Sequence, residues 1–394
     1  MTLPKNFCIA PFLQHTTHPA GSFSPCPYLG GTTWAGSQES IMQQWTSSGL
    51  EQLRKDFLDD RQSPICNRCW NEERNNKRSL RQRLYDTRTG TSDYTFAKSA
   101  KFAEEFAEIL ESKKYLQGPK VLTIKNGNIC NAKCRVCYPE CSSKWTADAK
   151  QLKLEIKNSI YTDNLREQNW SDAQLDELVT LASNLVRLEL FGGEPLYNKR
   201  VKLLLERIVN SGHAQHISLY INTNGSVDFL KRIPCIADFK NIEVGVSIDG
   251  IGAHFDYIRH GLEYSQVVNN VVSWQTNLPK DKFSIDCITT VSALNIFYLP
   301  EIKTEITKIL PLPPFWNLLV EPKYLYIQNM PDSAKSQIIQ KLETDVEEFH
   351  DLITVLRQPC DPAEWTKFLE YTKNLDKIRK ESFKTTFPEM TDLL

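Results

Sequence analysis

The chain has 394 residues, with 47 lysines and arginines against 48 aspartates and glutamates, a net charge of −1. That balance excludes a global electrostatic pull toward nucleic acid or an anionic membrane, and the length allows one large core or two to three smaller ones. No run of eighteen apolar residues occurs, and Met1-Thr2-Leu3-Pro4-Lys5-Asn6 lacks the apolar region of a signal peptide, so a cytoplasmic protein without membrane association is expected. Seven of the eleven cysteines fall in two metal-like sets, which in a reducing compartment reads as metal binding rather than as disulfides.

In chain order, Phe7-Cys8-Ile9-Ala10-Pro11-Phe12 opens an alternating segment that turns at Pro19-Ala20-Gly21 and returns through Ser22 to Cys26. This predicts a small hairpin with a cysteine on each arm. A helix is expected from Gly49 to Leu58, followed by the C-x2-C knuckle Cys66-Asn67-Arg68-Cys69. The basic stretch from Arg74 to Arg83 reads as a solvated helix face or as a docking surface for an acidic or phosphate-bearing partner. His15 and His18 read as surface residues. The segment 96–116 has the apolar spacing of an amphipathic helix, with Phe102, Phe106 and Leu110 on one side and Gly118-Pro119 closing it.

From about residue 119 to 330 strands and helices alternate, which predicts a parallel α/β architecture. The strands are expected at 121–124, 185–191, 217–221, 242–248, 283–291 and 318–327. Helices are expected at 142–156, after the capping box Ser171-Asp172-Ala173-Gln174 (with Leu175, Leu178, Val179 and Ala182 inward), and from Asn198 to a C-cap at Gly212. Beyond 331 the apolar steps Ile338, Leu342, Val346, Phe349, Ile353 and Leu356 predict helix, and Asp361-Pro362-Ala363-Glu364 starts another.

The loop after the first strand carries Cys130, Cys134 and Cys137 in C-x3-C-x2-C spacing. Three thiolates within eight residues can hold three corners of a cubic iron–sulfur cluster and leave the fourth iron open for chemistry. A zinc site completed by Cys141 is the alternative. Cys8, Cys26, Cys66 and Cys69 make a closed four-ligand set, an iron–sulfur cluster or a zinc ribbon-like site. Cys235 and Cys360 read as small buried hydrophobes. Cys287, or Cys141, is a candidate hydrogen-atom donor.

The triplet resembles the signature of radical SAM enzymes. The resemblance implies a 4Fe–4S cluster whose open iron chelates the amino and carboxylate groups of S-adenosylmethionine (SAM). One-electron cleavage then gives a 5'-deoxyadenosyl radical that abstracts a substrate hydrogen. Gly192-Gly193-Glu194-Pro195 resembles the family's GGEP motif, which contacts the SAM amino group. Ser247-Ile248-Asp249-Gly250 resembles the segment whose serine helps hold SAM, and Arg259 looks like the arginine that pairs with its carboxylate. Asn224 and the stretch from Val291 to Asn295 correspond to strand ends that line the nucleoside. Val136 stands where the family usually has an aromatic residue, which leaves backbone contact with the adenine there. Gly21 with Cys26 resembles the opening of a SPASM domain, and the four-cysteine set resembles its shortened twitch form, which holds an auxiliary 4Fe–4S cluster. Such domains commonly follow the core; here the set precedes it.

The expected fold is therefore α/β, a partial (β/α)6 barrel with a small N-terminal cysteine-rich twitch-like domain and a C-terminal helical extension. The expected boundaries are 1–95, 96–330 and 331–394. The resemblance implies two 4Fe–4S clusters, SAM, and an electron donor such as flavodoxin or ferredoxin. A peptide or protein is the leading substrate class. A sugar-like alcohol undergoing radical dehydrogenation is the enzymatic alternative, and a non-catalytic zinc-stabilised binding protein is the alternative of another class.

Overall fold

The computed structural model describes residues 4–18, 23–26, 28–29, 40–75, 78–85, 108–125, 127–154 and 170–391. The turn at Pro19-Ala20-Gly21, the helix residues 96–107 and the end of the helix expected at 142–156 lie outside them. Eight strands form one sheet in the order β2-β1-β3-β4-β5-β6-β7-β8. They are β1 Gln14–Thr17, β2 Phe23–Ser24, β3 Val121–Lys125, β4 Arg187–Phe191, β5 Ser218–Thr223, β6 Asn241–Ser247, β7 Phe283–Val291 and β8 Phe315–Leu318. All neighbours run parallel except β1 and β2. Strands β3 to β8 follow one another in chain order with helices between β4 and β8, the arrangement of a partial (β/α)6 barrel.

The two faces of the sheet differ in kind. Leu122, Ile124, Leu188, Leu190, Leu219, Ile221, Val244 and Val246 are buried in one core with Leu175, Leu178, Val201, Leu204, Val267 and Val271 of the helices. The opposite face is polar. Gln14 Nε2 donates to Thr123 Oγ1 (2.9 Å) and Thr123 Oγ1 to Glu189 Oε2 (2.7 Å). Arg187 Nε donates to Glu189 Oε1 (2.7 Å) and Nη1 to Glu243 Oε1 (2.8 Å), with its guanidinium 5.3 Å from the Tyr220 ring. A parallel sheet covered by helices on both faces carries continuous apolar runs; here the polar residues at period two mark the inner face of a curved, open sheet.

Several expectations change. The N-terminal hairpin exists, with Thr16 opposite Ser24, but β1 also pairs in parallel with β3, so the segment extends the main sheet. Cys8 precedes the short helix Ala10–Leu13 and Cys26 follows β2, so the two cysteines flank the hairpin rather than sit on its arms. Cys66 ends a 3-10 turn and Cys69 lies in the helix Asn67–Arg74. The sixth barrel strand is Phe315–Leu318, not 318–327. Pro322 and the 3-10 turns Lys323–Leu325 and Ile327–Asn329 end strand geometry, because proline cannot donate to a ladder. The segment expected as a long helix from 142 is the 3-10 turn Ser143–Trp145 and the helix Thr146–Gln151. Val346, placed on the apolar stripe, is 49% exposed, whereas Ile338, Leu342, Phe349, Ile353 and Leu356 join the central core.

The basic stretch turns partly inward. Arg81 pairs with Glu73 at 2.6 Å and donates to the Phe7 carbonyl, and Arg83 donates to the Tyr28 hydroxyl. His15 and His18 are buried, not surface residues: His15 hydrogen-bonds Gln44 (3.1 Å) and stacks on Phe23, and His18 hydrogen-bonds Ser24 (2.8 Å). Single-residue polarity misplaces them because β1 is a buried strand, and the Gln14 and His15 side chains find partners across the fold.

Burial holds the His15 imidazole down at about 3 and that of His18 at about 4. His15 thus stays neutral in the fold while the unfolded imidazole titrates near 6.5. Its contribution is complete above that value and is lost as pH falls toward 3, at about 1.4 kcal/mol per pH unit. Urea unfolding at pH 7 and pH 5 should show the parent losing about 2 kcal/mol more than His15→Gln.

Candidate functional site

The cysteine loop leaves the C-terminal end of β3, and the ends of the next three strands clasp it. Gly193, at φ +49°, lies directly beneath it: a Cβ at this position would come within 2.2 Å of the Ile129 carbonyl oxygen. That approach admits only glycine, and it lets Glu194 N donate to Ile129 O at 2.8 Å. Beyond β5, Asn224 Nδ2 donates to Asn131 Oδ1 (2.9 Å) and Asn131 Nδ2 to Ser226 Oγ (2.8 Å). Beyond β6, the backbone of 258–260 runs beside the loop, taking Lys133 N on His260 O (2.8 Å) and Arg135 N on Ile258 O (2.6 Å). Trp145 Nε1 donates to the Cys134 carbonyl (2.8 Å) and Ser142 Oγ to that of Ala132 (2.5 Å).

Cys130 and Cys134 are buried and Cys137 is half-buried. Cys134 and Cys137 are hydrogen-bonded to each other, which favours one thiolate in the pair and holds the other thiol's pKa high. Burial, and then the neighbouring Cys134, push the Cys130 thiol up to about 12. The one cation that lowers both Cys134 and Cys137 is Arg259. It is buried, with Nη2 2.8 Å from Asp249 Oδ2, but the pair is poorly aligned: neither that oxygen nor Arg259 Nε has a hydrogen-bond partner of good geometry.

The other residues singled out from the sequence sit at the same strand ends, several as internal ties. Glu194 is fully buried, and burial raises its carboxyl to about 7. It accepts from Thr223 Oγ1 (2.8 Å), Asn224 N (2.7 Å) and Leu196 N (3.1 Å). Asp249 Oδ1 accepts from Thr290 N (2.7 Å). Asn295 Nδ2 donates to the Asp249 and Thr290 carbonyls, both at 2.9 Å, and its Oδ1 accepts from Ser292 N (2.8 Å). Ser247 ends β6, half-buried on the inner face opposite Ile288. Gly192, at φ +89°, begins the turn after β4. Val136 and Val291 are buried in the core, and the Val291 carbonyl accepts from Leu319 N.

Cys287 pairs in register with Val246 on the helix-covered face and is 1% exposed, with burial raising its thiol to about 12. It does not face the barrel interior, which removes the premise of a donor at that position. Cys141 is half-buried and hydrogen-bonded to Tyr138.

The four N-terminal cysteines converge. Cys8, Cys26, Cys66 and Cys69 line one small cavity together with Tyr28 and Arg81. All four thiols are raised first by burial, Cys26 to about 11 and Cys66 to about 12, and neighbouring cysteines raise Cys8 and Cys66 further. Four thiolates in this space require a cationic centre to neutralise them, so the donor set fits a closed thiolate-bound metal group. The buried triplet beside Arg259 likewise fits a thiolate-bound group with a further ligand position. No three His, Cys, Asp or Glu side chains among the described residues converge as the shell of a single ion. Lys125, at the end of β3, lies where it feels the sulfurs of both Cys26 and Cys141.

Sequence reasoning missed the residues that hold the loop from behind: Arg135, Asp148, Asp376, Arg379 and Glu381. It also missed the Arg187–Glu189–Glu243 network of the inner face, which the alternation Arg187-Leu188-Glu189-Leu190 would have revealed.

No family model matches the chain. It is 26% identical over 273 residues to uncharacterised protein MJ0907 of Methanocaldococcus jannaschii, covering 68% of this chain and 79% of that protein. Among solved structures it is similar to native anSMEcpe with bound AdoMet, at 17% identity and TM-score 0.39, over 59% of this chain and 62% of that one. It is also similar to Streptococcus suis SuiB bound to S-adenosylmethionine, at 14% identity and TM-score 0.40, over 68% of this chain and 62% of that one. The chain thus spans less than two thirds of the length of these structures. Among the described residues no helix is long and apolar enough to cross a membrane.

Gly193→Ala should displace the cysteine loop, because the new methyl meets backbone rather than a movable side chain. A loss of about 3 kcal/mol is expected from overpacking and the left-handed φ together. Denaturant unfolding measures it, with an unchanged midpoint overturning the tight fit.

Proposed function

We propose that this chain is a radical SAM enzyme with an N-terminal auxiliary cluster, abstracting a hydrogen atom from a peptide or protein substrate. The observation that carries the reading is the convergence of the β4, β5 and β6 ends on a buried three-cysteine loop, beside a buried arginine–aspartate pair with unspent hydrogen-bonding capacity. Ligands of parallel barrels gather at the C-terminal strand ends, and each motif occupies such an end.

When bound, the cluster and SAM supply one-electron cleavage of the sulfonium and the carbon radical that takes the substrate hydrogen. Cys130, Cys134 and Cys137 hold three irons. Arg259 and Asp249 present a buried cation and anion to a ligand that carries both an amino and a carboxylate group. Gly192 opens the turn that faces that ligand, Gly193 lets the cysteine loop settle onto the β4 end, and Glu194 braces the β5 end that presents Asn224. Asn224, Val291 and Asn295 line the nucleoside in this reading, Val136 offers its backbone to the adenine, and Ser247 helps to hold SAM. For Asn295 the support is indirect, since its side chain ties the β6 and β7 ends together.

Cys8, Cys26, Cys66 and Cys69 hold a second cluster with no free position, suited to electron relay or bracing, and an electron donor such as flavodoxin or ferredoxin completes the system. The polar inner face suits a substrate rich in hydrogen-bonding groups, as a peptide is; a sugar-like alcohol is the other class it would accommodate. A cytoplasmic, reducing setting fits the free thiols.

Iron and sulfide analysis of anaerobically reconstituted protein should give about eight irons per chain, and Cys66→Ala/Cys69→Ala about four. Stoichiometric zinc without sulfide, in a colourless protein, would overturn both clusters in favour of a zinc-stabilised binding protein. Arg259→Ala should weaken SAM binding by about 2 kcal/mol, roughly thirtyfold, through loss of a charge-assisted pair. Equilibrium binding by the variant at the parental affinity would remove Arg259 from the SAM site.

A further inference from the structure

The helix Pro362–Arg379 and the turn after it reach back more than 230 residues to the cysteine loop and grip it on both sides of Cys134. On one side, Arg135 is fully buried, its guanidinium centred 3.6 Å from the Tyr257 ring. Its Nη2 lies 2.6 Å from Asp376 Oδ1 and 2.5 Å from Glu381 Oε2. Both carboxylates are themselves oriented: Asp376 Oδ1 accepts from the Tyr257 hydroxyl (2.7 Å), and Glu381 Oε1 lies 2.6 Å from His260 Nδ1. The Tyr371 hydroxyl donates to the Arg135 carbonyl at 2.9 Å. On the other side, Asp148 takes Arg379 Nε (2.9 Å) and Lys133 Nζ (3.0 Å), and the Arg379 guanidinium sits over the Trp145 ring that caps the Cys134 carbonyl.

Buried ion networks add little net stability compared with apolar packing of the same volume, because each charge is costly to desolvate. What they do supply is geometry, since a donor nitrogen shared between two fixed carboxylates has one low-energy position. Here Nη2 is that nitrogen and Nε donates to the Tyr257 carbonyl at 3.2 Å, both on the residue between Cys134 and Val136. We infer that the C-terminal helix is a clamp on the cysteine loop, with Asp376 and Glu381 as positioning residues that act through Arg135. The part concerning cysteine geometry rests on the structure alone; the consequence for SAM rests on the function proposed above.

The full-length variant Asp376→Asn/Glu381→Gln removes both charges at constant shape and leaves Arg135 uncompensated. Hydrogen exchange on the metal-free protein should show the amides of Lys133 and Arg135 opening about tenfold faster, with the helix Lys199–Asn210 unchanged. After anaerobic reconstitution and reduction, the change that SAM produces in the electron paramagnetic resonance spectrum of the parent should be lost or sharply reduced. Parental exchange rates in the variant would overturn the clamp. Faster exchange with a parental SAM-dependent spectrum would overturn the positioning role. If the parent itself shows no SAM-dependent spectrum, the proposed function fails, and exchange alone still decides the clamp. Should the double variant unfold, seen as faster exchange in Lys199–Asn210 as well, Tyr371→Phe replaces it. That variant removes one hydroxyl and no charge, and the loop should open about threefold faster with the rest of the core unchanged.

Discussion

The carbonyl of Ile129 occupies the space that any side chain at position 193 would need, and the course of the cysteine loop follows from that contact. Because the β4 end carries glycine there, the loop can settle onto its backbone and accept the Glu194 amide. Glu194 then turns its carboxylate to Thr223 and Asn224, and Asn224 reaches back to Asn131. The ends of β4 and β5 and the loop are thus joined by one chain of hydrogen bonds, and a displacement at residue 193 would be felt at each of them.

The same region concentrates groups that are costly to bury alone. The Cys130 thiol is held up by desolvation, the Glu194 carboxyl rises to about 7 for the same reason, and Asp249 is raised despite its arginine partner. A fold tolerates such groups where neighbours or a bound cationic centre compensate them. The N-terminal cavity repeats the pattern with four thiols and the neighbouring Arg81. Parallel pairing of β1 with β3 joins the N-terminal segment to the strand from which the cysteine loop leaves.

Sheet curvature distributes the remaining roles. Helices cover one face, where residues such as Cys287 and Val246 join the core, while the opposite face carries Arg187, Glu189, Tyr220 and Glu243. The C-terminal helices complete this arrangement from outside: their apolar stripe joins the central core, and the ionic end of the last long helix meets the loop.

The sequence by itself determined the features written in short spacings. The C-x3-C-x2-C loop, the GGEP turn, the Ser171 capping box, the Asp361 N-cap and the strand–helix alternation are all contained within a few residues, where backbone geometry leaves little choice. It also marked Arg259 by its place after β6. Only the tertiary structure decided which polar residues are buried and what they meet. His15 and His18 read as surface groups because nothing local shows that β1 will be enclosed between β2 and β3. Strand β8 was shifted because Pro322 ends the apolar run that looked like a strand. Arg135 and Asp376 lie 241 positions apart, so their pairing exists only once the chain has folded. Local periodicity follows from the geometry of the backbone, whereas the partner of a buried charge is chosen by proximity that the whole fold creates.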